Sequence, residues 1–216
     1  MKLNGIFTAI TTPFDGDGAV AVDRLRENIA RYNRLPLAGI VAVGSTGESV
    51  LLTRADAGSL QLNLRPIDLD ALVRTRCDVF SGLATRQGIQ LECGSDWQSA
   101  LHVLADPDRL SQVIDNLLDN AIRHSPANST ITVTIKPANE GLECSVSDQG
   151  TGIPAQHLPF IFERFYRVDS ARNRKNGGTG LGLAIARALV NAQGGQISAQ
   201  SIEGKGTTIT FWLPTQ

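Results

Sequence analysis

The spacing of apolar positions changes style part-way along this 216-residue chain. Residues 5–14 (GIFTAITTPF) form a β-branched and aromatic run ended by Pro13 and the Asp15-Gly16-Asp17-Gly18 turn, which predicts a strand. Leu25, Ile29 and Tyr32 then recur at helical spacing between Val22 and Leu35, and Pro36 stops that helix. The short apolar run 39–43 (GIVAV) predicts a strand buried on both faces. Strand, helix, strand is a βαβ unit, the building block of parallel sheets. The alternation does not continue.

From about residue 54 the pattern is different. Leu69, Leu72, Val73, Cys77, Phe80 and Ala84 mark an amphipathic helix, followed by strands at Ile89–Cys93 and near Ala100–Leu104. Asp106-Pro107 opens a second helix, with Asp as N-cap and Pro in the first turn. Its stripe is Leu110, Val113, Ile114, Leu117, Leu118, Ala121 and Ile122. Strands follow at Thr130–Lys136 and Leu142–Asp148, then a helix at Leu181–Ala192 capped by Gly194-Gly195. Strands at Gln196–Ile202 and Thr207–Leu213 complete the segment. This order predicts an α+β layer, with helices against one face of a mostly antiparallel sheet.

Bulk properties change little in this picture. A net charge of −1 predicts neither nucleic-acid nor membrane binding, and no apolar run is long enough to span a bilayer. The N-terminus lacks a signal-peptide pattern, so a cytoplasmic chain is expected. Cys77, Cys93 and Cys144 are odd in number and lack C-x-x-C spacing, which argues against a disulfide framework and zinc, and for a reducing compartment.

Candidate chemistry gathers in the second segment. Asn116 and Asn120 lie one turn apart on the second helix, and Arg123 and His124 extend that polar stripe. Two asparagines alone also suit a solvated face. Asp148 shares strand parity with Leu142, Cys144 and Val146, so its carboxylate faces inward and needs donors. Gln149-Gly150-Thr151-Gly152-Ile153-Pro154 follows as a glycine turn, and Thr207 shares the inward parity of Ile209, Phe211 and Leu213. A capped turn with a satisfied Asp would also account for this. Gly178-Thr179-Gly180-Leu181-Gly182 runs into a helix start, where free N–H groups attract phosphate. It fits neither the P-loop nor G-x-G-x-x-G. The stretch 164–175 before it is basic and glycine-hinged, as in a lid.

These pieces, in this order, resemble the ATP-binding catalytic domain of sensor histidine kinases, within the gyrase, heat-shock chaperone and histidine kinase ATPase superfamily. The resemblance is carried by "NLLDNAIRHSP", "DQGTGIP", "FIFERFYR", "GGTGLGLAIA" and "GKGTTITFWLP". It implies a two-layer α/β sandwich of Bergerat type over residues 67–216, with residues 54–66 similar to the end of a kinase dimerisation helix. It further implies ATP and Mg²⁺ as cofactors. Asn120 would ligate Mg²⁺, Asn116 would support it and Arg123 would approach the phosphates, making these three the catalytic candidates. His124 would pack near adenine and Asp148 would accept its amino proton, with Thr207 nearby. Gly150, Gly152 and Ile153 would shape the base pocket. Gly178, Thr179, Gly180, Leu181 and Gly182 would line the phosphates, Phe162 and Phe165 would anchor the lid, and Arg167 would neutralise charge. Hydrolysing relatives carry a Glu where Asn116 stands. Its replacement by an amide favours transfer to a histidine over hydrolysis.

The acceptor hairpin of such kinases is missing here. His102, His124 and His157 lack its context, so the acceptor, or a response regulator, would be supplied in trans. In its place, residues 3–53 resemble the first strand, helix and strand of the dihydrodipicolinate synthase and N-acetylneuraminate lyase family of (β/α)₈ barrels. Ser45 and Thr46 match that family's substrate-carboxylate loop, but its Schiff-base lysine and catalytic tyrosine lie on later strands that have no counterpart here. The expectation is therefore a chimera: a barrel fragment over 1–53 without aldolase activity, joined to a kinase domain. Two alternatives stay open. One is an ATP-binding protein without turnover. The other is a scaffold that self-associates through exposed N-terminal strand edges.

Overall fold

The computed structural model describes residues 7–10, 39–42, 60–94, 102–168 and 180–215. Backbone contacts divide the chain into two units, Met1–Thr53 and Arg54–Gln216. In the first, β1 (Phe7–Ile10) and β2 (Gly39–Ala42) pair in parallel, Phe7 opposite Gly39 and Ile10 opposite Ala42. Parallel strands need a crossover connection. The helix expected at 22–35 and the loop 43–49 lie outside the described residues.

The second unit is an α+β fold around a mixed five-stranded sheet. Its elements are β3 (Arg65–Asp68), α1 (Leu69–Arg86), β4 (Gln90–Gly94), β5 (His102–Ala105), α2 (Pro107–His124), β6 (Thr130–Ala138), β7 (Gly141–Ser147), α3 (Gly182–Ala192), β8 (Gln196–Ile202) and β9 (Gly206–Pro214). The sheet runs β4-β6-β7-β9-β8. Only the β4–β6 pair is parallel; the remaining pairs are antiparallel. The sequence pattern did not show β3, which pairs antiparallel with β5. Four residues over 65–68, with Pro66 among them, carry too little alternation to read as a strand.

One face of the sheet is apolar. Ile131, Val133, Leu142, Cys144, Val146, Ile209, Phe211 and Leu213 are all buried, each two residues from the next on its strand. Against them pack Leu110, Val113, Ile114, Leu117 and Leu118 of α2, with Ile185 and Leu189 of α3. The opposite face is polar, with Ser145 and Ser147 hydrogen-bonded to Thr210 and Thr208 across the β7–β9 pair.

The start of α2 is held from three directions. Asp106 Oδ1 accepts from the N–H groups of Asp108 and Arg109, and Oδ2 accepts from Asn63 N–H. Its own N–H donates to Gln193 Oε1, at the end of α3. Burial pushes the Asp106 carboxyl up, but the backbone donors of Asn63, Arg109 and Asp108 outweigh it and hold it below the usual carboxylate range. Further along, Arg76 of α1 makes a two-pronged ion pair with Asp115 of α2.

The cysteine expectation is corrected. Cys77 on α1 and Cys93 on β4 form a disulfide, their Cα atoms 6.7 Å apart. A helix and the strand that follows it pack side by side, so a 16-residue separation brings these two together without any recognisable motif. The odd count leaves Cys144 free, and burial pushes its thiol up to about 12. The cysteine count therefore carries no inference about a reducing compartment. Among the described residues, no helix is long and apolar enough to cross a membrane.

Candidate nucleotide site

Two groups of candidate residues come together over α2 and the sheet. The first is a row across three strands. Asp148 follows β7 directly, and its N–H donates to Thr207 O, which extends the β7–β9 ladder by one position. Thr207 in turn stands opposite Ser201 of β8. Directly opposed residues project to the same face, so carboxylate and hydroxyls line the helix side of the sheet. Asp148 Oδ1 accepts from Gly150 N–H at 2.8 Å and Thr207 N–H at 3.2 Å. Burial raises the Asp148 carboxyl above the usual range, against the pull of these two donors and of nearby His124.

Glycine is required around this carboxylate. A Cβ on Gly150 would strike the carbonyl of His124, and one on Gly206 (φ 112°) would strike that of Asp148. Ile153 N–H is tied to Ser201 Oγ at 2.8 Å, which anchors the far end of the turn to β8.

The second group joins α2 to α3. Asn116 lies against Gly182, whose Cβ position is 3.5 Å from Asn116 Oδ1. Asn116 Nδ2 is a buried donor with no hydrogen-bond partner among the described residues. Helix α3 starts at Gly182 with no side-chain cap, and Leu181, just before it, is buried. An orphaned amide beside uncapped N–H groups suits an anionic ligand, because each unmade bond is costly without one. Asn120 is half-buried one turn further along α2.

Among the described residues, no group of three or more His, Cys, Asp or Glu could hold a metal ion. At the candidate site α2 offers the neutral amide oxygens of Asn116 and Asn120, while the neighbouring carboxylates Asp115 and Asp119 are paired with Arg76 and Arg123. Such a donor set fits Mg²⁺ when phosphate oxygens complete the shell, and would not retain the ion by itself.

Other predicted residues lie at the margin. Arg123 and His124 are exposed, and Arg123 pairs with Asp119 at 2.7 Å. Gly180 (φ 70°) accepts from Phe165 N–H and has no room for a Cβ beside that residue. Phe162 is buried, with Arg187 over its ring, whereas the Phe165 side chain is 70 % exposed. His157 Nδ1 and the Tyr166 hydroxyl are 2.6 Å apart. Arg167 is exposed, and Gly152 (φ 66°) sits where a Cβ would strike Ile202 O. Gly178 and Thr179 lie outside the described residues. Ser201 was missed in the sequence, although it continues the inward parity of Ile197 and Ala199.

Residues 105–216, just over half the chain, match the profile of the histidine kinase-, DNA gyrase B- and HSP90-like ATPases. The chain belongs to this family. Residues 2–61 match the dihydrodipicolinate synthetase family, so two unrelated families meet in one chain. The ATPase-family segment is similar to sensor histidine kinases. Sensor histidine kinase WalK of Bacillus subtilis (strain 168) is 53 % identical over 116 residues, which is 53 % of this chain and 19 % of the relative. Sensor histidine kinase YkoH of the same strain is 40 % identical over 171 residues, 79 % of this chain and 36 % of the relative. The chain thus spans about a fifth to a third of these relatives. Among solved structures, full-length ShkA in complex with AMPPNP aligns with a TM-score of 0.70 at 26 % identity, covering 94 % of this chain and 40 % of that one. The nucleotide-free catalytic domain of histidine kinase ThkA aligns with a TM-score of 0.63 at 28 % identity, covering 71 % of this chain and 97 % of that domain.

Proposed function

We propose that residues 67–216 bind Mg-ATP as the catalytic domain of a sensor histidine kinase and transfer the γ-phosphoryl to a histidine supplied in trans. The observation that carries this reading is the buried, unpartnered amide of Asn116 lying against the uncapped start of α3. In this reading Asp148 and Thr207 hold the adenine amino group, while Gly150, Gly152 and Ile153 shape the turn beneath the base. The N–H groups of Gly180, Leu181 and Gly182 meet the phosphates, together with Gly178 and Thr179. Asn120 ligates Mg²⁺ through its amide oxygen, with Asn116 in support. The ion, when bound, neutralises charge on the phosphate oxygens. Arg123 and Arg167 turn toward the phosphates, and His124 and Phe165 close over the base. Asn116, standing where hydrolysing relatives carry a glutamate, cannot take a proton and so cannot activate water. A histidine imidazole is already a competent nucleophile, so positioning suffices.

Incubation with labelled ATP, with and without an added dimerisation hairpin, tests the transfer. Label on the hairpin supports it. Label on neither protein, with ATP still bound, leaves the binding-only reading; the chain's own histidines do not decide between the two. His102 lies on β5, His124 is exposed at the end of α2, and His157 is engaged with Tyr166. Residues 1–53 are proposed as a barrel fragment without aldolase activity, and the parallel β1–β2 pair supports that origin. The strand, helix and strand expected over residues 3–53 cannot close a barrel, so self-association through strand edges is the corresponding scaffold reading. Sedimentation with and without this segment tests it.

A further inference from the structure

We propose that Ser201 is a positioning residue that fixes the direction of the Thr207 hydroxyl and thereby sets nucleobase specificity. This rests on the nucleotide reading above and deepens it. A serine hydroxyl has one proton to give and two lone pairs to receive with. Among the described residues, Ser201 Oγ has three hydrogen-bonding neighbours. It is 2.7 Å from Gly206 O, a carbonyl that only accepts, so the serine proton goes there. Ile153 N–H donates to Ser201 Oγ and fills one lone pair. The third neighbour is Thr207 Oγ1 at 2.9 Å. With the serine proton committed, the threonine must be the donor in that bond.

The consequence reaches the base end of the site. Thr207 is 6 % exposed, and its hydroxyl is engaged with Ser201 Oγ at 2.9 Å. Its one proton faces Ser201, and only lone pairs remain for a ligand. Asp148, the next member of the row, is a carboxylate whose Oδ1 accepts from two backbone N–H groups. Carboxylate and hydroxyl therefore present acceptors alone. Such a surface takes an exocyclic amine and rejects a carbonyl at the same place, which separates adenine from hypoxanthine. Without the Ser201 oxygen, the Thr207 proton is released toward Asp148 or the ligand, and the acceptor-only surface is lost.

The test uses the full chain. Affinities for ATP and inosine triphosphate are measured for the wild type, Ser201→Ala, Ser201→Cys and Ser201→Thr, with thermal melting as a check on folding. A thiol is a weak acceptor of nearly the same size, and threonine restores the hydroxyl. The wild type favours ATP. The alanine and cysteine variants narrow the ATP-to-ITP ratio by roughly tenfold, the worth of one misdirected hydrogen bond. Threonine keeps the wild-type ratio. A merely structural serine would weaken both nucleotides together and leave the ratio unchanged, and that result overturns the proposal. So does loss of the fold in both the alanine and cysteine variants, or a threonine variant that shifts as far as alanine. Failure of the wild type to bind ATP at all would instead remove the nucleotide reading, and this inference with it.

Discussion

Replacing Asp148 by asparagine separates what this side chain does for the fold from what it does for a ligand. Oδ1 accepts from the N–H groups of Gly150 and Thr207. An asparagine oxygen can occupy the same position and keep both bonds, so the turn at 148–153 survives. What changes is the other half of the group, where a carboxylate oxygen becomes an NH₂ that, in the proposed adenine site, would meet the ligand amine donor to donor. Losing one hydrogen bond to a charged acceptor corresponds to about 1.5–3 kcal/mol, or roughly 10–200-fold in affinity. Stability moves the other way. The Asp148 pKa is raised in the fold, so the folded state holds its proton more tightly than the unfolded chain does. Stability from this group is therefore present at low pH and lost as pH rises through the raised value. At neutral pH the ionised carboxylate costs stability, and asparagine removes that cost. The expected outcome is a nucleotide-free Asp148→Asn protein that melts no lower than the wild type at pH 7 while Mg-ATP affinity collapses. Calorimetric titration and a thermal melt read the two effects. A variant that binds Mg-ATP like the wild type, or one that fails to fold, would rule out this role for Asp148.

Acidification should weaken wild-type ATP binding at a pH above the ordinary value for aspartate, because the ligand amine needs the ionised form; affinity measured from pH 7 downward checks this, and a flat profile contradicts it. Asp106→Ala should lower stability by about 1–2 kcal/mol through loss of the α2 cap, read by denaturant unfolding. Its carboxyl lies below the usual range, so the stability it gives is present at neutral pH and is lost as pH falls through that lowered value. Reducing the Cys77–Cys93 disulfide, which spans 16 residues, should lower stability by about 3 kcal/mol, measured as the melting shift between oxidised and reduced protein. Leu118→Ala, fully buried in the core, should cost about 2–5 kcal/mol in the same unfolding assay.

Much of the second unit was legible because its apolar periods are long and clean. The stripe from Leu110 to Ile122 gave α2 nearly to its ends, and the Asp106-Pro107 cap fixed its start. Strand parity alone turned Asp148 and Thr207 inward, and the structure has them directly opposed. Less legible were features that depend on one atom meeting another. The β3–β5 pair is too short for a period, and the disulfide depends on how α1 lies over β4. Parity could have turned Ser201 inward, but its significance lies in three hydrogen bonds that no pattern encodes. The approach of Gly182 to Asn116 joins residues 66 positions apart in sequence, and only packing of α2 against α3 brings them together.

The proposed function requires Mg-ATP to bind in the space bounded by α2, the start of α3 and the Asp148 row. Calorimetric titration of Mg-ATP into the wild type, Asn120→Ala and Asp148→Asn measures this binding. Saturable binding to the wild type that weakens on magnesium removal, falls roughly 10–200-fold with Asp148→Asn and loses its magnesium dependence with Asn120→Ala is the predicted result. Equal affinity in all three proteins, or no binding to the wild type, would contradict the account.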